Sequence, residues 1–84
     1  MEITIGMKIY YTGDMANVDG YGKVVQKSED RWGHHCKIKM DDGREFEIGQ
    51  HMIEDKYEGH CATHFVTKRA KDEYRKKQLY IIAT

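Results

Sequence analysis

The stretch His35-Cys36-Lys37-Ile38-Lys39-Met40-Asp41-Asp42-Gly43-Arg44-Glu45-Phe46-Glu47-Ile48 decides the fold, because its register as a hairpin follows from side-chain chemistry. Residues opposite each other on paired strands share a face. A two-residue turn at Asp42-Gly43 sets Ile38 against Glu47 and Phe46 against Lys39, mixing apolar with charged. A three-residue turn of Asp41, Asp42 and a left-handed Gly43 instead pairs Ile38 with Phe46 and Cys36 with Ile48. The other face then pairs Lys39 with Glu45 and Lys37 with Glu47. One side is core and the other a ladder of opposite charges, as in a small sheet with one wetted face.

Toward the amino terminus, Ile3, Ile5, Met7, Ile9 and Tyr11 alternate with Glu2, Thr4, Gly6 and Lys8, a period of two that predicts a half-buried first strand. Residues 12–22, rich in Gly, Asp and Asn, read as a long structured surface loop. Residues 21–27 read as a second strand, 28–33 as a polar loop, and 35–40 and 44–48 as the third and fourth strands. Downstream, residues 50–59 read as a helical turn or irregular segment anchored by Met52, Ile53 and Tyr57, and 63–66 as a fifth short strand. Thr67 can cap a helix over residues 68–78, where Val66, Ala70 and Tyr74 recur at every fourth position. Residues 79–83 either end this helix or form a closing strand, and so short a run does not decide between them.

At 84 residues and 9.9 kDa the chain makes one domain, residues 1–84. Its apolar run near the end, residues 79–83, is too short for a membrane span of about 20 residues. The first eight residues lack the basic and apolar regions of a secretory signal, so a cytoplasmic location and no membrane partner are expected. Fourteen Lys and Arg balance fourteen Asp and Glu, which removes the simplest argument for a nucleic-acid binder. The charge is nevertheless segregated: residues 41–58 carry seven acids and two bases, and residues 63–84 six bases and two acids. Lys68, Arg69, Lys71, Arg75, Lys76 and Lys77 read as a basic helix face for phosphate or an acidic partner. Against that, Arg69 with Glu73, Asp72 with Lys76 and Glu73 with Lys77 have the spacing of ordinary solvated helix pairs.

His34, His35, Cys36, His51, His60, Cys61 and His64 offer metal ligands, but only Cys61 and His64 have a zinc-like spacing and Cys36 falls on the apolar face of its strand. No metal site is expected. A calcium loop with Gly20 at position 6 would need Met15 as its first ligand. Gly20 and Gly22 lack the remaining spacing of a phosphate loop and read as turn glycines. Neither cysteine sits in a catalytic signature, so neither an enzyme nor a cofactor is expected. Trp32, the only tryptophan, stands beside Arg31 in the polar loop, either as a binding hot spot or folded back over an open barrel end.

These elements predict a mainly β fold, a small, partly open β-barrel with a short C-terminal helix. Gly20-Tyr21-Gly22-Lys23-Val24 followed by Asp41-Asp42-Gly43-Arg44-Glu45, within residues 7–53, resembles the SH3-like barrel superfamily with its KOW and Tudor domains. The tryptophan pair and groove proline of SH3 domains are missing, so recognition of Pro-rich peptides is not implied. Tyr10-Tyr11-Thr12-Gly13-Asp14-Met15-Ala16-Asn17 is also similar to small phage- and plasmid-encoded proteins of no assigned activity. Two partner classes follow as expectations. The first is a protein, met by Trp32 and Arg31 with Tyr10 or Tyr21 as anchors, which suits zero net charge with separated acidic and basic regions. The phage-like resemblance implies an accessory protein that occludes a host enzyme. The KOW and Tudor resemblance implies the alternative, a nucleic-acid module in which Lys68, Arg69 and Arg75, with Lys23, Lys27 and Arg31, meet phosphates while Trp32 or Tyr21 stacks on bases.

Overall fold

The hairpin of residues 35–48 has the register its side chains dictate: Ile38 faces Phe46, Cys36 faces Ile48, Lys39 faces Glu45 and Lys37 faces Glu47. The Met40 N–H donates to the Arg44 carbonyl at 2.8 Å and the Gly43 N–H to the Met40 carbonyl at 3.0 Å. Gly43 stands at φ +96°, the left-handed position that a three-residue turn requires. Cys36 and Ile38 are buried while Lys39, Glu45 and Glu47 are exposed. Among the described residues the facing charges form no ion pair within 4.0 Å.

This computed structural model describes the backbone of residues 1–83 and the side chains of residues 1–79. Strands β1 (Lys8–Tyr11), β2 (Gly20–Asp30), β3 (Gly33–Met40) and β4 (Glu45–Gly49) are followed by a 3-10 turn (Gln50–Met52), β5 (Ile53–Glu54), β6 (Phe65–Thr67) and helix α1 (Lys68–Ala83). One six-stranded sheet runs in the order β4-β3-β2-β1-β6-β5, antiparallel except between β5 and β6. It curls into a half-barrel, so the fold is mainly β with one C-terminal helix. Ile9, Val24, Cys36, Ile38 and Val66 are fully buried; all but Val66 join Ile3, Tyr11, Met40, Ile53 and Phe65 in one core cluster. Thr67 ends β6 and caps α1: its Oγ1 accepts the Ala70 N–H at 3.2 Å and donates to Asp55 Oδ1 at 2.6 Å. The stripe of Val66 and Ala70 is buried, with Tyr74 half-buried beyond it.

Three expectations are corrected and one open alternative is decided. The alternation of residues 3–11 is not one strand: the Met7 N–H bonds the Thr4 carbonyl at 3.1 Å, the chain turns at Gly6 with φ +91°, and only Lys8–Tyr11 pair. Ile3 still reaches the core, but Ile5 is exposed. Gly20 and Gly22 lie inside β2 rather than in a turn. The polar loop at residues 28–33 is a continuation of β2 into β3, closed by the pair Asp30 and Gly33 with only Arg31 and Trp32 between them. The helix extends past residue 78 to Ala83, which settles residues 79–83 as helix.

β2 therefore outruns β1. β1 pairs only with residues 20–23, whereas β3 follows β2 to Asp30 across a bulge between Val24 and Gln26. Residues 26–32 are exposed throughout, and the molecule measures 50 × 27 × 22 Å. The β2–β3 hairpin is an arm reaching beyond the core.

The two glycines at the base of this design are expected to respond differently. A Cβ at Gly22 would lie 2.6 Å from the Lys39 carbonyl oxygen and 2.9 Å from Met40 Cα, so Gly22→Ala must push two backbones apart. A Cβ at Gly43 meets nothing within 4 Å, so Gly43→Val is opposed by backbone conformation alone. Urea denaturation should show losses of at least ~1 kcal/mol for Gly43→Val and up to ~3 kcal/mol for Gly22→Ala. A Gly22→Ala variant as stable as the parent would contradict this strand approach.

Candidate functional site

At the end of the arm the Trp32 N–H donates to Asp30 Oδ1 at 2.8 Å, which holds the turn. The Arg31 guanidinium lies 4.7 Å from the Trp32 ring centroid, stacked on an indole that is 75% exposed. Trp32 thus stands out in solvent rather than folding back as a plug. Behind it, His34 Nε2 lies 3.7 Å from Glu29 Oε1 and His35 Nε2 3.4 Å from Asp30 Oδ1.

The tyrosines expected beside Trp32 are elsewhere. Tyr21 lies near the opposite end of β2, roughly 30 Å away at ~3.3 Å per strand residue. Tyr10 is buried, its hydroxyl donating to Asp19 Oδ2 at 2.7 Å. Burial, and then the Asp19 carboxylate, hold this phenol above its ordinary range. The Tyr10 and Tyr21 rings meet at a tilt with centroids 5.0 Å apart, and Tyr10 is therefore a packing residue, not an exposed anchor.

Lys71, read from the sequence as part of a basic helix face, turns inward. Its Nζ sits 4.5 Å from the Tyr10 centroid, 5.3 Å from Tyr57 and 5.7 Å from Tyr74. Tyr57 packs edge-on against Tyr10 at 6.1 Å and Tyr74 at 4.9 Å, so three rings surround one ammonium and tie α1 to the sheet. The i, i+3 spacing of Lys71 and Tyr74 was the only local signal, because Tyr10 and Tyr57 are distant in the chain. Lys71→Ala should lower stability by ~0.5–2 kcal/mol, the range of a partly desolvated cation–π contact. An unchanged thermal midpoint would show that the ammonium contributes nothing to helix docking.

The rest of the predicted basic face is divided. Lys68 Nζ pairs with Asp72 Oδ2 at 2.8 Å, and this bond raises the Lys68 pKa. Arg69 pairs with Asp55, which also accepts from Thr67. The helix pairs expected at Arg69–Glu73, Asp72–Lys76 and Glu73–Lys77 do not form among the described residues. Lys68 and Arg69 line an open groove of about 580 Å³ with Asp55, Asp72 and Glu73, so its charges have both signs. Arg75 is exposed on α1.

Sequence reasoning also missed Arg44. Its Nε donates to Asp42 Oδ2 at 2.8 Å and its Nη1 to the Val18 carbonyl at 2.9 Å, joining the β3–β4 turn to the first loop. The Asp42 carboxyl is held below its usual range, first by the Arg44 backbone N–H. That first loop is ordered by Asp14, whose Oδ1 accepts the Ala16 and Asn17 N–H groups at 2.8 Å each.

Among the described residues no three His, Cys, Asp or Glu side chains converge on a metal position. Cys36 is buried, which raises its thiol pKa, and Cys61 is half-buried with no disulfide between them. No protein-family model, curated protein or solved structure matches this chain. Because the core rests on side-chain packing, thermal melts with and without a chelator should superimpose. A large drop with chelator would reveal a structural metal.

Proposed function

We propose that this chain is a small non-enzymatic binding protein that acts through protein–protein contact, and that the tip of the β2–β3 arm makes the contact. The observation that carries this reading is the 75% exposed Trp32 under Arg31 at the end of a projecting hairpin. An indole in solvent costs free energy that a partner can recover, and Trp and Arg are the residues most enriched at binding hot spots. The short turn limits the entropy lost on docking. The phage- and plasmid-like resemblance makes an accessory protein that occludes a host enzyme the favoured role. The KOW- and Tudor-like alternative, a nucleic-acid module, draws support from exposed Lys23, Lys27, Arg31 and Arg75. It is disfavoured by zero net charge and by the pairing of Lys68 and Arg69 with acids.

Trp32→Ala removes no core contact, so its thermal midpoint should match the parent while capture of a protein from lysate is lost. Capture by the parent should survive nuclease treatment. Titration of duplex DNA, single-stranded DNA and RNA near physiological salt should show only weak binding. Submicromolar affinity with the steep salt slope of counterion release would overturn the protein-partner reading.

A further inference from the structure

Beyond residue 24, β2 has a neighbouring strand on one side only. The pairing with β1 stops at Lys23, Val24 is taken up by the Gly6 N–H at 2.8 Å and the Met7 carbonyl at 3.0 Å, and among the described residues no strand flanks residues 26–30 opposite β3. Val24 thus directs its backbone groups toward β1, and Gln26 resumes pairing with β3 after the bulge. Alternation along the strand then turns the N–H and carbonyl of Gln26, Ser28 and Asp30 toward β3 and those of Lys27 and Glu29 toward the open edge.

Open edges are templates for another strand, and the side chains on each edge decide what can pair there. β4 exposes Glu45 and Glu47, so two copies of β4 would set acid against acid. β5 is only two residues long. The β2 edge reads Gln26-Lys27-Ser28-Glu29-Asp30. Two such edges placed antiparallel about Ser28 put Lys27 of each copy opposite Glu29 of the other. These are also the residues whose backbone groups point outward, so hydrogen bonds and charge pairs fall in one register. The same two-fold axis brings Arg31 and Trp32 of one copy beside Val25 and the Gly6 turn of the other, where Ile5 is 66% exposed.

We infer that the occupant of this edge is a second copy of the chain, the two arms pairing antiparallel about Ser28. The inference rests on the reading of the arm as the contact element and adds, along its edge, a contact separate from the one proposed for its tip. The shared strand is short against the ~1,200–2,000 Å² of a standard interface, so the dimer is concentration-dependent.

Sedimentation of the full chain over a concentration series should show a monomer–dimer equilibrium. Lys27→Glu and Glu29→Lys each place like charges opposite one another in both symmetric pairs and should weaken it about tenfold or more. Mixing the two single variants should restore a dimer, as should the double variant Lys27→Glu/Glu29→Lys, with circular dichroism confirming that every variant is folded. A chain that stays monomeric near ~1 mM overturns the proposal, as do single variants that dimerise like the parent. A monomer that still captures another protein through Trp32 sinks the dimer and spares the proposed function. A charge-swappable dimer that captures nothing establishes the dimer and sinks the reading of a different protein partner.

Discussion

Phe46 and Phe65 meet edge to face with centroids 5.5 Å apart, although β3, β2 and β1 separate their strands in the sheet. Only a curled sheet brings them together, and Tyr11 completes the contact at 4.9 Å from Phe46 and 5.0 Å from Phe65. Each such ring pair contributes ~0.5–1.5 kcal/mol beyond the burial of its area. The two ends of the sheet are thus held by side chains instead of by pairing of β4 with β5, and the barrel stays half open. Arg44 lies across this cluster, 5.8 Å from the Tyr11 ring and 5.7 Å from Phe46, so the turn and the first loop are anchored on the same rings.

The curl also sets where the core ends. Four residues of β1 suffice to line the enclosed space with Ile9 and Tyr11 and to seat α1 on Tyr10 from the other face, whereas β2 runs for eleven. Past the pair Lys27 and Cys36 the surplus carries no buried residue, so polar residues serve there as well as in a loop. The bulge at Val25 separates the two regimes, with buried Val24 before it and exposed residues 26–30 after it. A bulge re-aims the strand and raises its twist, which suits a hairpin leaving a curved sheet.

This division explains what was legible in the sequence. The residue 35–48 hairpin was readable to the residue because one face is core, and a one-residue slip would have exposed Ile38. The helix cap at Thr67 was readable for a similarly local reason. The arm was not, because polarity in residues 28–33 is what a loop and a two-sided wet hairpin share; Gly33, at φ +122°, was the one turn signal. The amino-terminal strand was overextended because period-two alternation persisted through the turn at Gly6. Of the candidate site, Trp32 and Arg31 were legible as neighbours in sequence, whereas the separation of Tyr10 and Tyr21 from them depended on the length of β2.

Half of the basic charge that segregates to α1 is engaged within the fold. Asp55, from the acidic tract, sits at the start of the basic helix, where it accepts from Thr67 and pairs with Arg69. A carboxylate there also meets the positive end of the helix dipole. Asp72 takes Lys68, and Lys71 is enclosed by tyrosines, so three of the six bases that made α1 resemble a polyanion site are engaged internally. Screening in salt shortens the reach of the remaining surface charges to ~8 Å. That favours the proposed reading, in which contact is short-range and made at an exposed aromatic and an open strand edge. Both of those features lie on the arm.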